Sequence, residues 1–409
     1  MPDLIRQRPR YPTDVRRALF RFRDICSNNS LVISAHSQVR SQEVVHITTV
    51  KALIMAGGKG TRFWPFSRSI RPKQFLPILH PQSMLADTLQ RMLHRVPLEH
   101  IHIVSLAEYV PLIREQLPDF PQEHIIVEPM AKDTAACIGL AALHMLLQGE
   151  DPVLITLPSD HYVSDPEAFH AALQTGVERA ADEACVVTLG VRPTRPETGY
   201  GYIRIAPGED AEPMSSLQVT AVEQFIEKPP LPLAGRIFAD GRHYWNTGIF
   251  IWKASTVMHL LEQHLPKLHH ILMRMKNVLL EHSPDECALH SLYSQIENQS
   301  IDYGVIEKCD SIYMIPVQYG WDDLGNWNAL ERAEPQDMSR NIIHGLHQGI
   351  DTNGCIIHGK PGQLITTIGA ENLIIVATDD VFLVCHKDRT QDIKTLVARL
   401  EEQDLQRYL

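Results

Sequence analysis

The stretch IMAGGKGTRFWPFSRSIRPKQFLPI, Ile54–Ile78, sets three glycines within four residues directly after a strand-like run and then adds Arg62, Arg68, Arg71 and Lys73. Glycines let a backbone approach a partner closely, and clustered cations point to an anion as that partner. The run VKALIMA (Val50–Ala56), apolar and closed by glycines, reads as a buried parallel strand. A glycine loop behind a strand suits a phosphate. It is not the G-x-x-x-x-G-K-[ST] loop, and a G-x-G-x-x-G fingerprint would need glycine at Phe63. Taken alone, the loop leaves a purely structural turn open. Arg62 beside it, and Lys73 behind a proline-stiffened segment, favour an anion-binding nest.

Outward from this loop, strand-like and helix-like segments alternate. SMLADTLQRMLHRV has helical spacing with Ser83 as N-cap. IHIVSL, HIIVEP, PVLITLPSDH and CVVTLGV read as strands, and EYVPLIREQL, DTAACIGLAALHMLL and AFHAALQTGVERAA as helices. This predicts right-handed βαβ units: an α/β, Rossmann-like, mostly parallel sheet covered on both faces. After Val191 come the strands GYIRI, VEQFIEKP and WNTGIFIWKA, then helices at about 255–280 and 300–308, and a last strand in SIYMIPVQYG. These form a mixed insertion on the same sheet. Near Asp337 the helical period stops, and short β-branched runs broken by Gly, Asn and Asp predict a small β-helix-like unit, closed by the amphipathic helix DIKTLVARLEEQDLQRYL. A β-unit this short is marginal by itself and is expected to pack on the first domain or on another subunit.

The 409 residues and 44% hydrophobic content provide for a globular core. A net charge of −11 excludes a general nucleic-acid binder. No apolar run is long enough to span a bilayer, and no apolar h-region follows Met1. Seven scattered cysteines, none in C-x-x-C, fit a reducing compartment, so the expected location is cytoplasmic. Up to His46 the chain carries eight arginines against four acidic residues. Residues 1–48 are expected to be a disordered Arg-rich extension, residues 49–335 the α/β domain and residues 336–409 the β-rich unit.

The stretch Leu53–Ile78 resembles the signature of sugar-1-phosphate nucleotidyltransferases, and its W-P-x-S-R…P-K-Q-F form is similar to the bacterial-type mannose-1-phosphate guanylyltransferases, or GDP-mannose pyrophosphorylases. EPMAKDTAACIGLAA, LPSDH, PETGYGYI, FIEKP, WNTGIFIW, SIDYGVIEK and WDDLGNW look like further blocks of that family, in family order, across Lys51 to about Leu330.

The resemblance implies attack by an oxygen of mannose 1-phosphate on the α-phosphorus of GTP, giving GDP-mannose and pyrophosphate. The nucleophile is a phosphate monoester, largely dianionic near neutral pH, and needs no general base. The site must align two anions and neutralise developing charge. Arg62 and Lys73 are the expected catalytic cations on the GTP phosphates. Gly57, Gly58, Gly60, Thr61, Lys132 and Asp133 are expected on the nucleotide. Gly201, Glu227 and Asn246 are expected on the sugar, and Lys228 on its phosphate. Mg2+ is expected on Asp160, just past a strand end, with Asp323 as its partner and Asp322 as a rival. A lone Asp after a strand is otherwise a turn or helix cap. The family has Asn where Asp133 stands; both residues cap a helix. His161 is read as structural.

A homodimer is the family-level expectation for assembly. Two alternatives stay open: a related transferase using another nucleotide or sugar, and a non-catalytic sugar-nucleotide-binding regulatory paralogue.

Overall fold

The computed structural model describes residues 48–58, 60–205, 217–281 and 284–409. The Arg-rich leader up to residue 47 lies outside them. The strands of the α/β region are β1 (Val50–Met55), β2 (Ile101–Leu106), β3 (Ile125–Glu128), β4 (Val153–Pro158), β5 (Tyr162–Val163), β6 (Val186–Val191), β7 (Tyr202–Ile205), β8 (Thr220–Ile226), β9 (His243–Lys253), β10 (Ile312–Val317) and β11 (Trp321–Asp322). Nine of them form one sheet in the order β3-β2-β1-β4-β9-β6-β10-β8-β7, and β5 pairs with β11 separately. Only β9 and β8 run against the others in that sheet. The alternating N-terminal half thus builds the parallel part, and the segment after Val191 inserts β9 between β4 and β6, as a mixed insertion should.

The pattern of β1 shows how the layers are specified. Ala52 and Ile54 face one core with Leu85, Leu89, Ile113 and Leu173, from helices Met84–Leu93, Val110–Gln116 and Pro166–Asp182. Leu53, between them, faces the other core with Ile138, Leu261, Leu272 and Leu289, from helices Asp133–Leu147, Ala254–His264, Pro266–Leu279 and Glu286–Ser294. Consecutive apolar residues, Ala52 to Met55, are what a strand covered on both faces requires. Ser83 caps its helix, accepting from Ala86 N at 3.3 Å. The helical run expected at 255–280 is two helices, because Pro266 starts a new one and has no N–H to continue the old.

The C-terminal unit is a parallel coil. β12 (Ile342–His344), β14 (Ile356–His358) and β16 (Leu373–Ala377) stack in register, Ile342 on Ile356 on Ile374. β13 (Leu346–Ile350) stacks on β15 (Leu364–Ile368), and β17 (Phe382–His386) closes β16 antiparallel. Ile342, Ile356, Ile374 and Val376 share one core with Phe63, Trp64, Leu76 and Trp327 of the first domain. The indole N–H of Trp64 donates to Tyr408 O (2.7 Å), and that of Trp327 to Trp64 O (3.2 Å). Packing on the first domain, one of the two expected partners, is what the chain adopts.

Candidate active site

β1 ends at Met55 and the glycine loop follows. Gly60 has φ 58°, and a Cβ there would lie 2.3 Å from Lys73 Cβ. Only glycine lets the loop close over Lys73. The turn Lys73–Phe75 is buried beneath the loop, where the Gln74 amide donates to Ala56 O (3.1 Å) and Gly58 O (2.9 Å). The loop is therefore held from below by protein groups. Above it, nothing lies within 4 Å of a Cβ position at Gly58.

The Lys73 ammonium ties together the two residues expected to hold the metal, through the carboxylate of Asp160 and the backbone carbonyl of Asp323. It donates to Asp160 Oδ2 (2.9 Å), to Asp160 O (2.9 Å) and to Asp323 O (2.6 Å), which uses all three of its protons. Asp160 follows β4 by two residues, and Asp323 follows β11, so segments distant in sequence meet on one side chain. Burial pushes the Asp160 carboxyl up, but Lys73, His161 and the hydrogen bonds outweigh it and hold it below its ordinary value. Asp323 Oδ1 accepts from Tyr200 Oη (2.5 Å) and Gly325 N (3.0 Å). Asp322 instead pairs with Arg332, accepting at 2.5 and 2.9 Å. His161 Nδ1 accepts from the Trp321 indole at 3.2 Å, a structural contact.

Among the described residues no group of three or more His, Cys, Asp or Glu is placed to hold a metal by itself. Two aspartates suffice for Mg2+, which takes one or two protein carboxylates and draws the rest of its shell from phosphate and water.

The clustered cations of the opening stretch divide. Arg68 donates to Asp380 Oδ2 of the C-terminal unit at 2.8 Å, and Arg71 to Glu115 at 3.0 Å on the surface. Lys73 is committed as above. Arg62 alone of these four is exposed on a cavity of about 350 Å³ with no described carboxylate paired to it. The same cavity is lined by Tyr200, Lys228 and Asp323, and by Gln391 from the C-terminal unit. Reading all four cations as one anion signature is therefore corrected: two of them serve packing.

On the sugar side, Glu227 is buried at the end of β8, with Oε1 accepting from Lys228 Nζ at 2.6 Å. Its Oε2 is buried without a partner. A Cβ on Gly201 would fall 2.5 Å from that oxygen, so glycine keeps the space in front of Glu227 open. Asn246 N donates to Gly201 O at 2.8 Å, which joins the two expected sugar segments. Lys228 has φ 43°, a left-handed backbone that turns the chain after β8.

On the nucleotide side, Thr61 starts the short turn that carries Arg62. Lys132 donates to Ser294 O (3.0 Å), and Asp133, with φ 68°, accepts from Thr134 N at 2.7 Å, one position inside the cap expected for it. Sequence reasoning assigned no task to Glu128, a buried carboxylate closing β3. Its Oε2 lies 3.5 Å from a Cβ position on Gly57, and its Oε1 accepts from Tyr293 Oη at 2.6 Å. Burial pushes it up to about 7 against the hydrogen bonds from Tyr293 and Cys137. Its place at the head of EPMAKDTA was the available signal.

Residues 51–340 match the nucleotidyl transferase family, and residues 345–400 match the MannoseP isomerase/GMP-like beta-helix domain. The xanthan biosynthesis protein XanB of Xanthomonas campestris is 36% identical over 357 residues, 87% of this chain and 74% of XanB. A mannose-1-phosphate guanylyltransferase of Escherichia coli is 34% identical over 358 residues, 87% of this chain and 75% of that protein. A solved structure from Thermus thermophilus, described as a mannose-1-phosphate geranyltransferase, is 37% identical with a TM-score of 0.76 and covers 86% of this chain and 99% of its own. A sheet with its site at the carboxyl ends of parallel strands, joined to a coil of short strands, is the architecture of a sugar-nucleotide-forming enzyme. The chain belongs to the nucleotidyl transferase family.

Proposed function

We propose that the chain transfers GMP from GTP to α-D-mannose 1-phosphate, giving GDP-mannose and pyrophosphate. The observation that carries this reading is the convergence of Asp160 and Asp323 on Lys73, beside a cavity that Arg62 and Lys228 also line. The names of the Escherichia coli relative and of the Thermus thermophilus structure support mannose 1-phosphate as the sugar substrate.

In this reading the glycine loop, Thr61, Lys132 and Asp133 seat the nucleotide, and Arg62 neutralises its phosphates. Lys228 takes the sugar phosphate. Glu227 Oε2 accepts from sugar hydroxyls, Asn246 offers an amide N–H, its oxygen being taken up by Thr188 and Gly248, and Gly201 keeps room for the ring. A phosphate oxygen of the sugar forms the new bond to the α-phosphorus, the α–β bridge bond breaks, and pyrophosphate carries away the electron pair. No protein base is required. Lys73 acts by setting the two aspartates rather than by touching phosphate, because its protons are committed. Asp160 and Asp323 would hold Mg2+, which when bound would neutralise charge on the phosphates.

The boundaries at 49–335 and 336–409 belong to the same proposal, as does a cytoplasmic location. The free cysteines among the described residues support a reducing compartment, and no described helix is long and apolar enough to cross a membrane. A homodimer is supported by the exposed apolar row of Leu346, Ile350, Leu364 and Ile368 on paired β13 and β15.

The test is pyrophosphate release with GTP, UTP, dTTP or ATP, each with mannose or glucose 1-phosphate, with and without Mg2+. GTP with mannose 1-phosphate and Mg2+ is expected to exceed every other pair. A preference for another pair would establish the related-transferase alternative, and no release with any pair the regulatory one.

A further inference from the structure

The sugar side holds a carboxylate to which no task was assigned. Asp302 lies in the four-residue helix Ile301–Gly304, behind the N-cap Ser300. Its Oδ1 accepts from Asn246 Nδ2 at 3.2 Å. Asn246 Oδ1 in turn accepts from Thr188 Oγ1 (2.9 Å) and Gly248 N (3.2 Å). An amide can sit in either of two flips, and three such bonds select one. With its oxygen held by Thr188 and Gly248, only Asp302 among the described residues gives the amide nitrogen a fixed partner.

The segment that carries Asp302 is itself anchored to the nucleotide side. Ile301 N donates to Thr134 Oγ1 (2.8 Å), Ala135 N to Gln299 O (3.2 Å), and Gln299 N to Lys132 O (3.5 Å). Asp302 therefore stands where the two substrate segments join. A first-turn acid in so short a helix would explain neither the bond to Asn246 nor the neighbouring Glu227. Like charges set close together are costly. Burial and Glu227 push the Asp302 carboxyl up to about 7, with Asp133 adding to the rise and Lys228 opposing it. A site that keeps this costly pair beside the unpartnered Glu227 Oε2 is built for a polar ligand.

We propose that Asp302 is a positioning residue for the sugar phosphate, holding the Asn246 amide in the one flip that presents it to the pyranose. This rests on reading the cavity as the mannose 1-phosphate site.

The test compares wild type with Asp302→Ala and Asp302→Asn in KM for mannose 1-phosphate and for GTP, with thermal melts alongside. In D302A the sugar KM is expected to rise about tenfold, the loss of one charge-assisted hydrogen bond, with GTP KM within about twofold. D302N keeps an oxygen that can accept from Asn246 and is expected to return the sugar KM to within about threefold of wild type. Should D302A not fold, Asp302→Ser, polar in the first turn but too short to reach Asn246, replaces it with the same expected values.

An unaltered sugar KM in D302A, a folded D302N as impaired as D302A, or a parallel rise in GTP KM would overturn the positioning role. Wild type that turns over GTP and mannose 1-phosphate while D302A matches it overturns this role alone. Wild type without that turnover overturns the proposed function and this role together.

Discussion

The two ends of the parallel strands treat ionisable groups in opposite ways. At the carboxyl ends, past β1 and β4, charges are kept and matched: Lys73 with Asp160, Glu227 with Lys228, Asp322 with Arg332. At the amino ends, near the starts of β1, β2 and β3, His102 packs against His124 and His144 with ring centroids 4.8 and 6.3 Å apart. These rings are held uncharged by burial, with neighbouring Lys51 and one another adding to the effect. One sheet thus has an end built for anions and an end built for stability. Substitutions at the first should cost chemistry, and protons at the second should cost folding.

The largest effect is expected from Lys73→Ala. It leaves the Asp160 carboxylate without its cation and the Asp323 carbonyl without its donor, which costs about 3 kcal/mol of stability and roughly 10³-fold in turnover. Equal activity in K73A and wild type would erase the contrast between the ends.

Gly201→Ala should act on the sugar side alone. Its methyl would meet Glu227 Oε2 at 2.5 Å, and overpacking of about 2 kcal/mol raises the sugar KM about thirtyfold. The GTP KM should hold, and a rise in both would mean the two substrate segments are not separate.

Arg62→Ala sharpens the distinction between cations. Exposed and unpaired among the described residues, it should lose about 10²-fold in turnover with an unchanged melting temperature, unlike Lys73→Ala. A lower melting temperature would show that Arg62 serves packing, as Arg68 and Arg71 do.

At the amino end the effect is on folding and not on turnover. His102 and His144 are pushed down to about 2 and about 4 from an ordinary 6.5. The unfolded chain takes up protons below pH 6.5 where the folded chain does not. Their contribution to stability is therefore intact above pH 6.5 and lost as pH falls toward 4 and below. At pH 5 this amounts to roughly 2 kcal/mol for each ring. Urea midpoints at pH 7 and pH 5 check it, and equal midpoints would contradict it.

Much of this was legible from residue order alone. β1, its glycine loop and the strands and helices through β6 are local patterns, and apolar period and capping residues specify them. Asp160 could be placed because a strand end is a known position for a ligand. Long-range partners could not be placed. Arg68 meets Asp380, 312 residues away, and nothing near Arg68 distinguishes it from Arg62. Asp302 reaches Asn246 across 56 residues, through the fold rather than through any motif. The helix Leu231–Asp240 carries prolines at its start and Gly235 inside, which weaken its local signal; tertiary contacts of Ala234 and Ile237 hold it. That Asp322 pairs with Arg332 while Asp323 does not is visible only in the fold.

The central claim is that Asp160 and Asp323 share one divalent ion over the nucleotide phosphates. It is tested most directly by the Mg2+ dependence of pyrophosphate release in wild type, Asp160→Asn, Asp323→Asn and the double variant. Each single variant should need far more Mg2+ for half-maximal rate, and the double variant should lose little beyond the worse single, because both act on one ion. A wild-type Mg2+ requirement in either single variant, or fully additive losses in the double, would contradict it.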